Sequence, residues 1–225
     1  MALHIYPDLV QGTDEWLEAR RGIVTASVVG QLITPKTIKP AANTESRALT
    51  TKLVAERITG WCESVYVSHD MLRGSLDEPI ARDTYAEHHA PVREVGFMVR
   101  DDWGFRIGYS PDGLVADDGL IEIKSRRPKE QLATILADEV PAENMAQIQC
   151  GLLVSGRQWC DYVSWCGGMP MWTKRVEPDP RWHETIVAAV EAFEMAAAEM
   201  LALYRERTAG LPGTERGTYD MEVMI

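Results

Sequence analysis

The chain has 225 residues, 45% hydrophobic and 25% charged, which is enough for one sizeable core and argues for a single domain spanning residues 1–225. A formal net charge of -11 excludes a surface that adheres to nucleic acid everywhere, but not a local basic channel, because steering depends on where charges sit. Cys62, Cys150, Cys160 and Cys166 form no C-x-x-C pair and follow no signal peptide, so reduced thiols in a cytoplasmic protein are expected, and an iron–sulfur cluster is not.

In chain order, Gly12 to Arg20 begins with cap-forming residues and continues with helix formers, predicting a short amphipathic helix that ends at Arg20-Arg21-Gly22. A second helix is predicted over Ile23 to Leu32. Ser27 lies near its start, where free backbone N–H groups can hold an anion, and Arg20 and Ser27 read either as a phosphate grip or as a cap beside a surface arginine. Thr34 to Asn43, with Pro35, Lys36, Lys39 and Pro40, reads as an exposed basic loop, either a DNA-contacting flap or a solvated linker.

A helix follows from Thr44 to Thr59, broken by Gly60. Met71-Leu72-Arg73-Gly74 then leads into a helix from Ser75 to Ala86, with Glu78 in its first turn, where an acid either serves a site or favours the helix dipole. His88 and His89 are adjacent rather than four apart and make a poor metal pair; all five histidines read as structural.

Four short apolar runs come next, at Val95–Val99, Phe105–Tyr109, Gly113–Ala116 and Leu120–Lys124, separated by Asp/Gly turns, predicting an antiparallel meander. The third follows Ser110-Pro111-Asp112, and the fourth reads Leu120-Ile121-Glu122-Ile123-Lys124. Strand alternation sends Glu122 and Lys124 to one face and Ile121 and Ile123 to the other. Two acids and a lysine so placed suit metal-assisted phosphodiester hydrolysis, with hard carboxylate oxygens for a divalent ion and a cation for the developing charge. An ordinary hairpin with a solvated ion pair has the same pattern.

Arg126, Arg127 and Lys129 add a basic cluster. Helices are expected through Ala137 and over Met145–Val154, then strands at Trp159–Trp165 and Met171–Val176, and a long helix from Trp182 to about Arg207. That helix carries Glu191, Glu194 and Glu199, charges that are costly in a bilayer, so no membrane span is expected. Residues 210–225 read as a loosely ordered tail, with Met221, Val223, Met224 and Ile225 apolar enough to dock. The order of elements predicts an α/β fold, a central mixed sheet flanked by helices.

Five blocks in this order carry a resemblance: Glu15-Trp16 to Thr25-Ala26-Ser27, Arg73-Gly74 to Glu78, Ser110-Pro111-Asp112-Gly113, Glu122-Ile123-Lys124, and Met145-Ala146-Gln147-Ile148-Gln149. Together they resemble the lambda exonuclease and YqaJ-type family of viral recombination exonucleases, PD-(D/E)xK nucleases with a restriction-endonuclease-like core. The resemblance implies a 5′-to-3′ exonuclease that digests one strand of linear duplex DNA from a 5′-phosphorylated end. It implies Asp112, Glu122 and the Ile123 carbonyl as metal ligands, Lys124 as the group orienting the attacking water, Glu78 beside a second metal and Gln147 as a positioning side chain. It further implies Arg20 and Ser27 on the terminal 5′-phosphate and Met71 or Leu72 as a strand-separating wedge.

Two Mg²⁺ ions, with Mn²⁺ as a substitute, a homotrimeric ring, a single-strand annealing recombinase as partner, and a phage or prophage source are implied in the same way. An internally cutting relative and a non-catalytic DNA-end-binding module are the alternatives.

Overall fold

The computed structural model describes residues 2–62 and 67–215. The apolar end of the tail, from Met221 to Ile225, lies outside the described residues. The elements run β1 (Leu3–Tyr6), α1 (Asp14–Arg20), β2 (Val24–Thr25), α2 (Ala26–Val29), a 3-10 turn, β3 (Ile33–Thr34), β4 (Lys39–Pro40), α3 (Thr44–Thr59) and α4 (His69–His88). Then come β5 (Val92–Arg93), β6 (Phe97–Arg100), β7 (Ile107–Tyr109), β8 (Gly113–Val115), β9 (Gly119–Ser125), α5 (Pro128–Ala137), α6 (Ala142–Ser155), β10 (Trp159–Trp165), β11 (Trp172–Val176) and α7 (Pro180–Thr208).

Strand order is β1-β6-β7-β2 in one sheet and β11-β10-β9-β8-β5 in a second, with β3 and β4 forming a separate two-stranded sheet. The expected mixed α/β architecture is present. β9 and β10 are parallel, joined through α5 and α6, while β8 and β11 run antiparallel to their neighbours. The predicted four-strand meander is corrected: β6 pairs with β7 and β8 with β9, but β7 turns to β2 and β8 to β5. The break falls at Ser110-Pro111-Asp112, where proline has no N–H to donate to a ladder.

Helices cover the strands from two sides. The larger core joins Leu49 and Leu53 of α3, Ile148 and Leu152 of α6 and Ile186 and Phe193 of α7 to Leu120 and Tyr162 of the sheet. The smaller core packs Ala81 and Tyr85 of α4 against Ile121, Ile123 and Val163. β9 therefore buries both faces, as a parallel central strand must.

α3 matches its predicted bounds. Asn43 and Ser46 form a reciprocal capping box, and Gly60 ends the helix in the left-handed region at φ 69°. α4 differs from expectation. It starts at His69, capped by Ser68, and so takes Met71, Leu72 and Gly74 into the same helix as Glu78. The predicted second helix is shortened to α2 and its 3-10 turn, because Val24 and Thr25 pair with β7. The basic loop is a small hairpin, β3 with β4. β1 was not foreseen; all four of its residues are exposed, so it carries no burial pattern. No described helix is long and apolar enough to cross a membrane.

Candidate active site

β8 pairs with β9 only as far as Gly113 opposite Ile121, which leaves the next part of the β9 edge open. Asp112, one residue before β8, fills it: its Oδ2 accepts from the Ile123 amide at 2.7 Å. A strand residue projects its N–H and C=O to the same edge, so the Ile123 carbonyl opens toward Asp112 as well.

Glu122 is fully buried, and its two oxygens differ. Oε1 accepts from Lys124 Nζ at 2.5 Å and from Gln147 Nε2, which reaches over from α6. Oε2 is buried with no partner. Glu78 approaches from α4, bound to Arg82, whose Nε donates to the Asp112 carbonyl at 2.8 Å. Asp112, Glu122, Lys124, Gln147 and Glu78 thus form one neighbourhood drawn from α4, β9, α6 and the segment ahead of β8.

The charges act on each other accordingly. Burial, reinforced by the Asp112 charge, pushes Glu78 up to about 7. Burial likewise raises Glu122 to about 7, against the pull of Lys124. Burial also raises the Asp112 carboxyl, with Lys124 and the Ile123 N–H opposing it. The paired acids hold Lys124 firmly protonated despite its own burial.

An unsatisfied carboxylate oxygen beside two further acids suits a hard divalent cation. Among the described residues, no three His, Cys, Asp or Glu side chains converge as a ready-made ligand set. An ion here would depend on Asp112, Glu122, a main-chain oxygen and water. All four cysteines are free.

Arg20 and Ser27 also meet. Arg20 Nη2 donates to Thr25 Oγ1 at 3.0 Å and to Ser27 Oγ at 3.1 Å, with the guanidinium 4.0 Å from the Trp16 ring centroid. Trp16 Nε1 in turn donates to Ser110 Oγ at 2.9 Å, two residues from Asp112. A cavity of about 110 Å³ counts Arg20, Thr25 and Ser27 together with Asp112 and Gln147 among its lining residues. Met71 and Leu72 stand on the first turn of α4, 49% and 50% exposed, away from this cavity.

Sequence reasoning assigned no role to Thr25, Ser110 or Arg82. For Arg82 a signal existed, its position four residues after Glu78 on one helical face. Thr25 and Ser110 stand inside the blocks that carry the resemblance, but their bonds to Arg20 and Trp16 exist only once the chain is folded.

A buried carboxylate ion-paired with a lysine on a central strand, with a second acid just ahead of the neighbouring strand, defines a mixed α/β domain of the restriction-endonuclease-like class. Residues 15–158 match the YqaJ-like viral recombinase domain, and the chain belongs to that family. An alkaline exonuclease from Laribacter hongkongensis is similar at 32% identity with a TM-score of 0.79, covering 89% of this chain and 100% of its own. The same exonuclease in complex with dAMP aligns equally well. A phage-related exonuclease from Haemophilus somnus, at 11% identity and TM-score 0.62, covers 81% of this chain and 96% of its own and shares the fold. No curated protein matches the chain.

Proposed function

We propose that the protein is a metal-dependent 5′-to-3′ exodeoxyribonuclease that digests one strand of linear duplex DNA from a 5′-phosphorylated end and leaves a 3′ overhang for annealing. The observation that carries this reading is the shared cavity: the cation–hydroxyl cluster of Arg20, Thr25 and Ser27 lines the same small space as Asp112 and Gln147. A terminal phosphate held at the grip fixes the next phosphodiester near the acids, which converts cleavage into a step that begins at an end. The complex of the Laribacter enzyme with dAMP is in keeping with nucleotide-by-nucleotide release.

Asp112, Glu122 and the Ile123 carbonyl would hold the ion, and Glu78 would serve a second. Mg²⁺, or Mn²⁺ in its place, supplies Lewis-acid stabilisation of the attacking and leaving oxygens. Lys124 keeps its proton and orients the attacking water, offsetting charge on the scissile phosphate. Gln147 holds Glu122 Oε1 and leaves Oε2 for the ion. Met71 and Leu72 project from the first turn of α4, which is tied to the chain following Lys124 by the pairs Arg127 to Asp70 and Arg73 to Ser125, and there they part the strands. We place the enzyme in a homotrimeric ring with a single-strand annealing recombinase as partner, in the cytoplasm of a host carrying a phage or prophage.

Time-resolved digestion of end-labelled linear duplex with Mg²⁺ tests polarity and end dependence together. Mononucleotides should leave first from 5′-phosphate ends, more slowly from 5′-hydroxyl ends, and not at all from closed circles. Cutting of circles would replace this reading with an internally cleaving enzyme, and binding without digestion would leave an end-binding module.

A further inference from the structure

Arg82 lies between the acids, yet nothing in the chemistry above uses it. Its side chain is only 13% exposed, and each part of the guanidinium has its own acceptor. Nε donates to the Asp112 carbonyl at 2.8 Å, Nη1 pairs with Glu94 Oε2 at 2.8 Å, and Nη2 binds Glu78. One planar fork therefore joins α4 to the main chain of the strand break that presents Asp112. A lysine would bring the same charge but could not span three fixed acceptors.

α4 does not need Arg82 to stay on the sheet. Tyr85 donates to Asp161 of β10 at 2.6 Å, Ser125 of β9 donates to Asp77 at 2.6 Å, and Ala81 and Tyr85 are sunk in the smaller core. What Arg82 adds is the setting of Glu78 relative to Asp112. Asp112 is held twice, by its carboxylate on the Ile123 amide and by its carbonyl on Arg82. Without the second hold, the Ser110-Pro111-Asp112 segment pivots on the first, and Glu78 loses the only cation bonded to it among the described residues.

We propose that Arg82 is a positioning residue that fixes the Asp112 main chain and the Glu78 carboxylate in one frame, so that Asp112 is presented to the first ion with Glu78 set at the second. This rests on the metal-dependent reading above.

The test titrates Mn²⁺ into the full-length protein without DNA, by calorimetry, for wild type, Arg82→Lys, Tyr85→Phe and Asp112→Asn, with a melting curve for each. Arg82→Lys should weaken Mn²⁺ binding at least about tenfold, as the loss of a partner that orients a ligand does. Its melting temperature should stay near wild type. In cleavage assays it should need correspondingly more metal, while the KM for DNA stays unchanged. Tyr85→Phe should show the reverse, a lower melting temperature with unaltered Mn²⁺ binding.

Wild-type Mn²⁺ affinity in Arg82→Lys overturns the proposal. So does a metal defect of equal size in Tyr85→Phe, which would make Arg82 one of several attachments of α4, and so does an Arg82→Lys chain that fails to fold. If wild type binds no Mn²⁺, or Asp112→Asn binds it normally, the metal-site reading itself falls.

Discussion

Glu122 shows how one side chain can be both satisfied and available. Oε1 is held by Lys124 and Gln147, whereas Oε2 is enclosed without a donor. Lys124→Ala should leave metal and DNA binding in place and cost at least about a hundredfold in turnover, the usual scale for loss of a preorganised electrostatic group. Single-turnover kinetics with a gel-shift control check this, and near-normal cleavage removes Lys124 from its role. Arg20→Ala should slow digestion of 5′-phosphorylated ends far more than of 5′-hydroxyl ends; an equal loss on both would detach Arg20 from the phosphate. Glu78 and Glu122 near 7 must both lose protons before they ligate, so apparent Mg²⁺ affinity should rise steeply from pH 6 to pH 8. A pH-independent metal titration would contradict those raised values.

Among the elements, Gly96 shows how tightly the N-terminal segment is laid across the fold. A Cβ there would come within 1.8 Å of the Leu9 carbonyl oxygen, and main chain cannot yield as a side-chain tip does. Gly96→Ala should therefore displace residues 7–11, lower stability by about 1–3 kcal/mol and reshape the wall they share with Glu78 and Arg82. Thermal denaturation checks it, and an unchanged melting temperature would refute the close crossing.

Legibility followed the same division between local and tertiary causes. α3 could be read to the residue because Asn43 and Gly60 act locally. The start of α4 could not, since Gly74 looks like a breaker and packing against β9 and β10 helps carry the helix past it to the Ser68 cap. Glu122 and Lys124 follow from strand alternation, and Asp112 from its place at the end of an apolar run. The hold of Arg82 on the Asp112 carbonyl spans 30 positions and leaves no periodic trace.

For the molecule as a whole, the acids make ion binding and folding one problem. Glu78 and Glu122 hold their protons to about 7 in the native state, against about 4.3 in an unfolded chain. Their contribution to stability is thus present below the unfolded value and lost as pH rises through 7. The metal-free protein should melt at a lower temperature at pH 8.5 than at pH 6, and Mg²⁺ should raise the melting temperature more at pH 8.5. Scanning calorimetry at both pH values, with and without Mg²⁺, decides it; equal shifts would mean that the ion binds elsewhere. Sedimentation at working concentration tests the proposed ring, which a monomer alone would contradict.

The two halves of the cavity also rest on unequal foundations. Glu122 and Lys124 sit on β9, bonded to β10 along seven residues and buried on both faces, whereas Arg20 ends a seven-residue helix with no buried residue and Thr25 ends a two-residue edge strand. In hydrogen exchange, the β9 amides should report global unfolding and those around Arg20 a much cheaper local opening. The bonds from Arg20 to Thr25 and Ser27 can thus open and re-form many times while β9 stays intact.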